Sequence, residues 1–570
     1  MQLVELDAQG GARTITALAE PVRAARYVTG QRRAVIEVDT GGNELGQLYV
    51  VGLDGPPGSA PLGAHELDAL TDDPRHAHHL AGVSPDGSTV AFLSTRRNGV
   101  DFDLWTIDLA SRSLRCHYDG GGYCMPASGF SPDGRWISFL RPGNRPLDMN
   151  LLLVDTHTGE PRVIFEHADE SAEVGSPVWD TPTSFYVASN VGRDFQAVVH
   201  HDLESGASRT VEGTGETCDA APVFATPQML SMVENVNGAS RWTLRATGSA
   251  PVEISLPEPG VVHWDEMFTP KFTSSGSRAY FTFLSPRHPG DVWALDAARA
   301  CRRLTDSALG MPADSFVAAE SSVATSFDGE ELALYCYRPA GVERPAVVVV
   351  IHGGPESQSR LVFNPVIQGL LAAGLAVVVP NVRGSTGYGK RFAALDDTVR
   401  RLDSVRDLES VHEWIAANGL DEDRVALYGG SYGGYMVLAG LAFQPSRWAA
   451  GVDIVGISNL VTFLENTSAY RRTLREHEYG SLEHDRDFLA AASPMTRVDD
   501  IVAPLFVVHG RNDPRVPVSE AEQLASRLVE RGVRCELVIY EDEGHGLARL
   551  ENRLDATPRI VDFLLEVLAE

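Results

Sequence analysis

"LYGGSYGGYM", residues 427–436, decides the fold of the C-terminal part of the chain. An apolar run (Val425, Ala426, Leu427, Tyr428) precedes its glycines and a second (Met436, Val437, Leu438, Ala439) follows them, with Ser431 between. The pattern is G-x-S-x-G, with a predicted strand before it and a predicted helix after it, the setting in which such a serine is presented for chemistry. A strand-to-helix turn this sharp leaves no room for flanking side chains, hence the glycines. It lifts the hydroxyl clear of the backbone at the mouth of the sheet, and the helix N-terminus behind it favours developing negative charge. A flexible glycine loop would not need apolar runs on both sides.

Outward from this stretch, buried runs alternate with amphipathic helices. The runs are residues 346–351, 375–380, 425–428, 449–455, 504–508 and 535–540; helical patterns occupy 404–418 and 519–532. Continuous apolar strands between helices predict a mostly parallel, doubly wound sheet covered on both faces. Upstream the rhythm is different. "SPDGSTVAFLS" (84–94) and "SPDGRWISFLR" (131–141) are two copies of one turn–strand unit, each followed by a second strand that ends in an Asp turn. Weaker copies begin at Arg32, Ser184, Gln228 and Thr273. The spacing matches the blade period of a β-propeller. Six blades are counted directly, and flanking strands are expected to close a seventh. A β-propeller is therefore expected over 1–317, its first residues packing on the second unit, and an α/β-hydrolase domain over 318–570.

A serine nucleophile needs a base, and the base needs an orienting acid. Asp513 lies after the run "PLFVV" and His545 after "CELVIY", giving the order Ser, Asp, His used by α/β-hydrolases. Glu541, Asp542 and Glu543 are too near His545 in sequence to orient it and read as solvated charges. His509 reads as structural. The oxyanion needs N–H donors. Gly354, in "HGGP" (352–355), and Tyr432, next to the serine, are assigned to it, with Gly353 as a neighbour.

Composition sets the limits. The chain has 570 residues, 43% hydrophobic, and a formal net charge of −29. That length calls for two or more domains. That charge argues against nucleic acid and anionic membrane as partners. The N-terminus lacks a basic leader with an apolar core, so no signal peptide is expected. Six scattered cysteines without CxxC spacing predict reduced thiols, a cytoplasmic location and no metal site. The serine chemistry calls for no cofactor.

HGGP (352–355), "NVRGSTGYG" (381–389), "GGSYGGY" (429–435), "NDPRVP" (512–517) and "EGHG" (543–546), after a propeller, resemble the prolyl oligopeptidase family of serine peptidases, nearest its acylaminoacyl-peptidase and dipeptidyl-peptidase-like branches. The resemblance implies a seven-bladed propeller capping the hydrolase, with the active site between them. It implies that Arg515 holds a substrate carbonyl, and that residues 456–472 build a substrate wall for which Phe463 and Tyr470 are candidates. Where some relatives have a tyrosine hydroxyl in the oxyanion hole, this chain has His352, so a backbone hole is expected. Relatives that read a free N-terminus use acidic propeller residues. Asp169, Glu170 and Glu173 are available here without a matching motif and read as solvated charges. The implied activity is amide hydrolysis in short peptides with size-limited access, and a homo-oligomer is compatible with it. Two rivals stand beside it: an esterase, amide-antibiotic hydrolase or acyltransferase on the same scaffold, and a non-catalytic propeller binding protein. An aryl-ester against peptide-amide comparison separates the first, and failure to react with a fluorophosphonate would favour the second.

Overall fold

The computed structural model describes residues 1–55, 58–262, 269–273, 275–308 and 310–569. Residue 274, inside the sixth sequence repeat, lies outside them.

The N-terminal half is a ring of antiparallel sheets. Consecutive sheets span 22–69, 78–118, 125–164, 178–210, 220–253 and 261–303, so the described residues form six blades. Both SPDG stretches join the first and second strands of their blades, and they do so with the same chemistry. Ser84 Oγ donates to Asp86 Oδ1 and Ser131 Oγ to Asp133 Oδ1, each at 2.6 Å. The same hydroxyls accept from Thr89 N and Trp136 N. Gly87 and Gly134 take φ of 71° and 76° to complete the turns. Buried faces of adjacent blades interlock, as where Leu151 and Leu153 meet Phe185 and Val187.

The expected seventh blade is corrected to six. The flanking strands do not build one. Val4–Leu6 pairs only with Ala12–Thr14, and neither strand has a fully buried residue. A hairpin so short has no apolar face with which to cover a neighbouring blade. It instead joins the last blade to the first: Arg302 Nη2 donates to Ala8 O, and Arg13 bonds Leu53 O.

After Cys301–Arg303 the chain enters an eight-stranded sheet. Its strands are β1 (Glu320–Thr325), β2 (Glu331–Tyr337), β3 (Val347–Ile351), β4 (Ala376–Pro380), β5 (Val425–Gly430), β6 (Ala450–Ile454), β7 (Leu505–Gly510) and β8 (Cys535–Tyr540), in the spatial order β1-β2-β4-β3-β5-β6-β7-β8. β1 and β2 are antiparallel; from β4 onward every pairing is parallel. Helix α1 (Arg401–Ala417) covers one face together with α2 (Tyr432–Phe443), which is buried from Tyr432 to Ala442. That burial explains why α2 is apolar around its whole circumference. Helix α4 (Leu550–Ala569) packs on the other face through Ile560, Phe563 and Leu564, and α3 (Ala469–Tyr479) faces the propeller. No helix among the described residues is long and apolar enough to cross a membrane.

The two halves touch along several lines. Lys390 Nζ meets Glu170 at 2.5 Å, Arg549 meets Glu20 at 2.7 Å, and Tyr335 Oη donates to Asn237 O. Backbones interlock as well: Gly42, in the first blade, packs directly on Gly544.

Candidate active site

Ser431 stands between β5 and α2 with φ 59° and ψ −118°, a conformation that non-glycine residues rarely adopt. It is held there by close backbone packing. A Cβ on Gly433 would lie 2.2 Å from Ile351 O, and one on Gly429 the same distance from Gly433 O. Ser431 N donates to Ile454 O at 2.8 Å, tying the turn to β6. Below the turn, Tyr432 Oη reaches Asp396 and Ser404, while the fully buried Arg401 pairs with both Asp396 and Glu478. This buried network anchors the first turn of α2, and with it the serine.

Asp513 and His545 come from the loops after β7 and β8, adjacent parallel strands, so their side chains meet beyond the same sheet edge. His545 Nδ1 is 2.7 Å from Asp513 Oδ2 and its Nε2 is 2.9 Å from Ser431 Oγ. Burial alone would raise the Asp513 pKa. The hydrogen bond and charge of His545, with the nearby His509 and the Val516 N–H, hold it below the usual value instead. An ionised Asp513 can only accept, so Nδ1 carries the proton and Nε2 is left to accept from the Ser431 hydroxyl. Asp513 Oδ1 also accepts from Arg515 N and Val516 N. His509 Nε2 donates to Val516 O and lies 3.7 Å from Asp513, buried beneath the loop.

Gly354 and Tyr432 each carry a backbone N–H with no acceptor among the described residues. At Gly354 φ is 138°, and a Cβ would sit 2.9 Å from Glu356 N. Gly353 lies against the serine, its ideal Cβ 3.4 Å from Ser431 Cβ. His352 is turned away: its ring bonds Gly353 O and Ser385 Oγ, and burial lowers its pKa. Such an array can transfer a proton from a hydroxyl to an imidazole and offer N–H groups to a developing oxyanion.

Several sequence expectations read differently in three dimensions. Glu543 is not solvated. At 1% exposure it accepts from Ala548 N, Arg549 N and Asn552 Nδ2, pinning the His545 loop to the start of α4. Glu541 and Asp542 do pair at the surface, with Arg511 and Arg549. Phe463, at 3% exposure, stacks edge-on against Tyr479 inside the core. Tyr470 packs on Phe102 and Tyr123 of the propeller. Arg515 Nε meets Glu44 of the propeller at 2.6 Å. Asp169 is exposed, but Glu170 bridges to Lys390, and Glu173 accepts from Gln196 in a gap between the halves. Burial there pushes Glu173 up to about 7. The Glu44 contact was missed because its segment has no motif; the paired glycines at 41 and 42 are its only local signal.

Asp396, Asp397 and Glu478 are the one group of potential metal ligands among the described residues. Arg401, between Asp396 and Glu478, already supplies a cation there.

The profile of the prolyl oligopeptidase family matches residues 362–570. Dipeptidyl aminopeptidase BIII of Pseudoxanthomonas mexicana is 38% identical over 228 residues, 39% of this chain and 33% of that protein. An acylamino-acid-releasing enzyme of Arabidopsis thaliana is 26% identical over 212 residues, 36% of this chain and 28% of the relative. The chain thus spans about a third of the length of the curated relatives it matches. A puromycin-hydrolyzing peptidase of Mycobacterium tuberculosis superposes with a TM-score of 0.84 at 18% identity, covering 99% of this chain and 90% of its own, a likeness of fold. The similarity to the prolyl oligopeptidase family is thus shown for residues 362–570, which span most of the hydrolase sheet and the loops that carry Ser431, Asp513 and His545.

Proposed function

We propose that the protein is a serine peptidase that hydrolyses amide bonds of short peptides through an acyl-enzyme. The observation that carries this reading is the hydrogen-bonded chain Ser431–His545–Asp513 on a strained strand-to-helix turn. Ser431 Oγ attacks the carbonyl carbon as His545 Nε2 takes its proton. Asp513 keeps the imidazole in the right tautomer and steadies its charged form. The N–H groups of Gly354 and Tyr432 receive the oxyanion. His545 then passes the proton to the leaving amine, and water activated by His545 releases the acyl group. In this reading residues 318–570 do the chemistry and 1–317 cap it, in a cytoplasmic enzyme. The seating of Gly42 against Gly544 supports restricted access, since the propeller rests on the loop that carries His545.

The test is Ser431→Ala. Its activity on short peptide amides should fall by about 10⁴-fold or more, with the fold intact by circular dichroism and no fluorophosphonate labelling. Retention of a tenth of wild-type activity would place the nucleophile elsewhere.

A further inference from the structure

A cavity of about 340 Å³ lies between the first blades and α3, lined by Arg515, Arg471, Glu44, Tyr123 and Tyr470 among others. Its charges are almost all answered. Glu44 pairs with Arg515 at 2.6 Å, Asp39 with Arg23 at 2.9 Å and Glu37 with His79 at 3.0 Å. Arg471 is the exception. Its backbone N–H bonds Ser468 O, but its guanidinium makes no hydrogen bond or ion pair among the described residues. It also sits in the first turn of α3, where the helix dipole disfavours a cation. Burial, then the charge of Arg515, lowers its pKa. Three unfavourable terms converge on one side chain, and an anion placed between Arg471 and Arg515 relieves all of them.

The geometry points to a carboxylate-binding subsite centred on Arg471, with Arg515 as its second arm. A guanidinium offers a carboxylate two parallel N–H donors. Tyr470 and Tyr123, stacked with ring centres 6.2 Å apart, add an apolar wall that suits the carbon chain behind such a group. Arg515 links the cavity to the triad: it lines the cavity, and its backbone N–H bonds Asp513 at 2.8 Å. Arg515 is shared, since a substrate carboxylate competes with the Glu44 that is bonded to it, whereas Glu44 acts on Arg471 only through space. This inference rests on the peptidase reading and gives it a substrate class, short peptides that carry a carboxylate near the scissile bond.

Two matched substrate pairs test it: peptide amides with glutamate or glutamine flanking the scissile bond, and one neutral peptide with a free or an amidated C-terminus. Wild-type enzyme should favour the carboxylate member of one pair by about tenfold or more in kcat/KM. Which pair shows the preference identifies whether a side chain or a chain end is read. Arg471→Gln should erase that preference, Arg471→Lys should keep part of it, and added salt should weaken it. No preference in either pair, or one that survives Arg471→Gln, overturns the subsite. Cleavage of the neutral peptides tests the peptidase reading separately. If no peptide is cleaved, calorimetric titration compares N-acetylglutamine amide, which has no carboxylate, with N-acetylglutamine (a chain-end carboxylate) and N-acetylglutamate α-amide (a side-chain carboxylate). Tighter binding of either carboxylate that Arg471→Gln abolishes supports the subsite, and equal binding of all three overturns it.

Discussion

Substituting Gly42 by alanine should damage chemistry performed in the other half of the molecule. An alanine Cβ at this position would lie 2.5 Å from Gly544 N and 2.8 Å from Gly544 Cα. Ordinary carbon contacts need about 3.5–4 Å, so one backbone must retreat by roughly 1 Å. The propeller loop is not free to give way alone. Asn512 Nδ2 holds Gly41 O at 3.1 Å, and Arg515 holds Glu44. Much of the displacement therefore falls on Gly544 and the adjacent His545, whose Nε2 must stay near 2.9 Å from Ser431 Oγ. A misplacement of about 1 Å at reacting groups costs on the order of 10²-fold in rate. Alanine at φ 74° also costs about 1–2 kcal/mol of backbone strain, and that effect must be separated from the first. Gly30→Ala is the control: φ there is 71°, and nothing lies within 4 Å of its ideal Cβ. Gly30→Ala reports the backbone strain alone in urea titration, and Gly42→Ala should lose at least as much stability while still folding. Only Gly42→Ala should lose about 10–100-fold in kcat for a short peptide amide and in the rate of fluorophosphonate labelling. If the two variants labelled within threefold of each other, the packing of Gly42 on Gly544 would have no bearing on the position of His545.

Asp513→Asn should fold and lose on the order of 10⁴ in kcat, because asparagine presents the wrong partner to His545 Nδ1. Asp542→Asn, at a surface pair with Arg549, should stay within about twofold, given the small worth of exposed ion pairs; equal losses in parallel assays would refute the assignment. Glu173 should make stability depend on pH. Its folded-state pKa, about 7, is raised above the ordinary 4.5, so its contribution is complete below about 4.5 and is lost as pH climbs through about 7. Glu173→Gln should flatten the fall in Tm across that window, and an unchanged Tm profile would show that Glu173 does not couple to folding.

The strand–glycine–serine–glycine–helix stretch at 425–439, the SPDG turns and the order of Ser431, Asp513 and His545 are all local or ordinal features. A sequence carries such features whole, because turn chemistry and strand burial act over a few residues. Blade number is not local. It depended on whether a short N-terminal hairpin could bury a face, and it paired with itself and bridged two blades. The surroundings of the acids were equally hidden. Glu543 belongs to a charged run, yet it is buried against three donors at and just before the start of the next helix. Phe463 went to the core and Tyr470 to the propeller because apolar area is covered by whichever surface the fold brings near. The sequence by itself determined which groups could do the chemistry. Only the tertiary structure decided that Gly42 would rest on the loop of His545, that Glu44 would answer Arg515, and that Arg471 would be left unpaired beside them. Those contacts join residues more than four hundred positions apart, and no local propensity carries information over that distance.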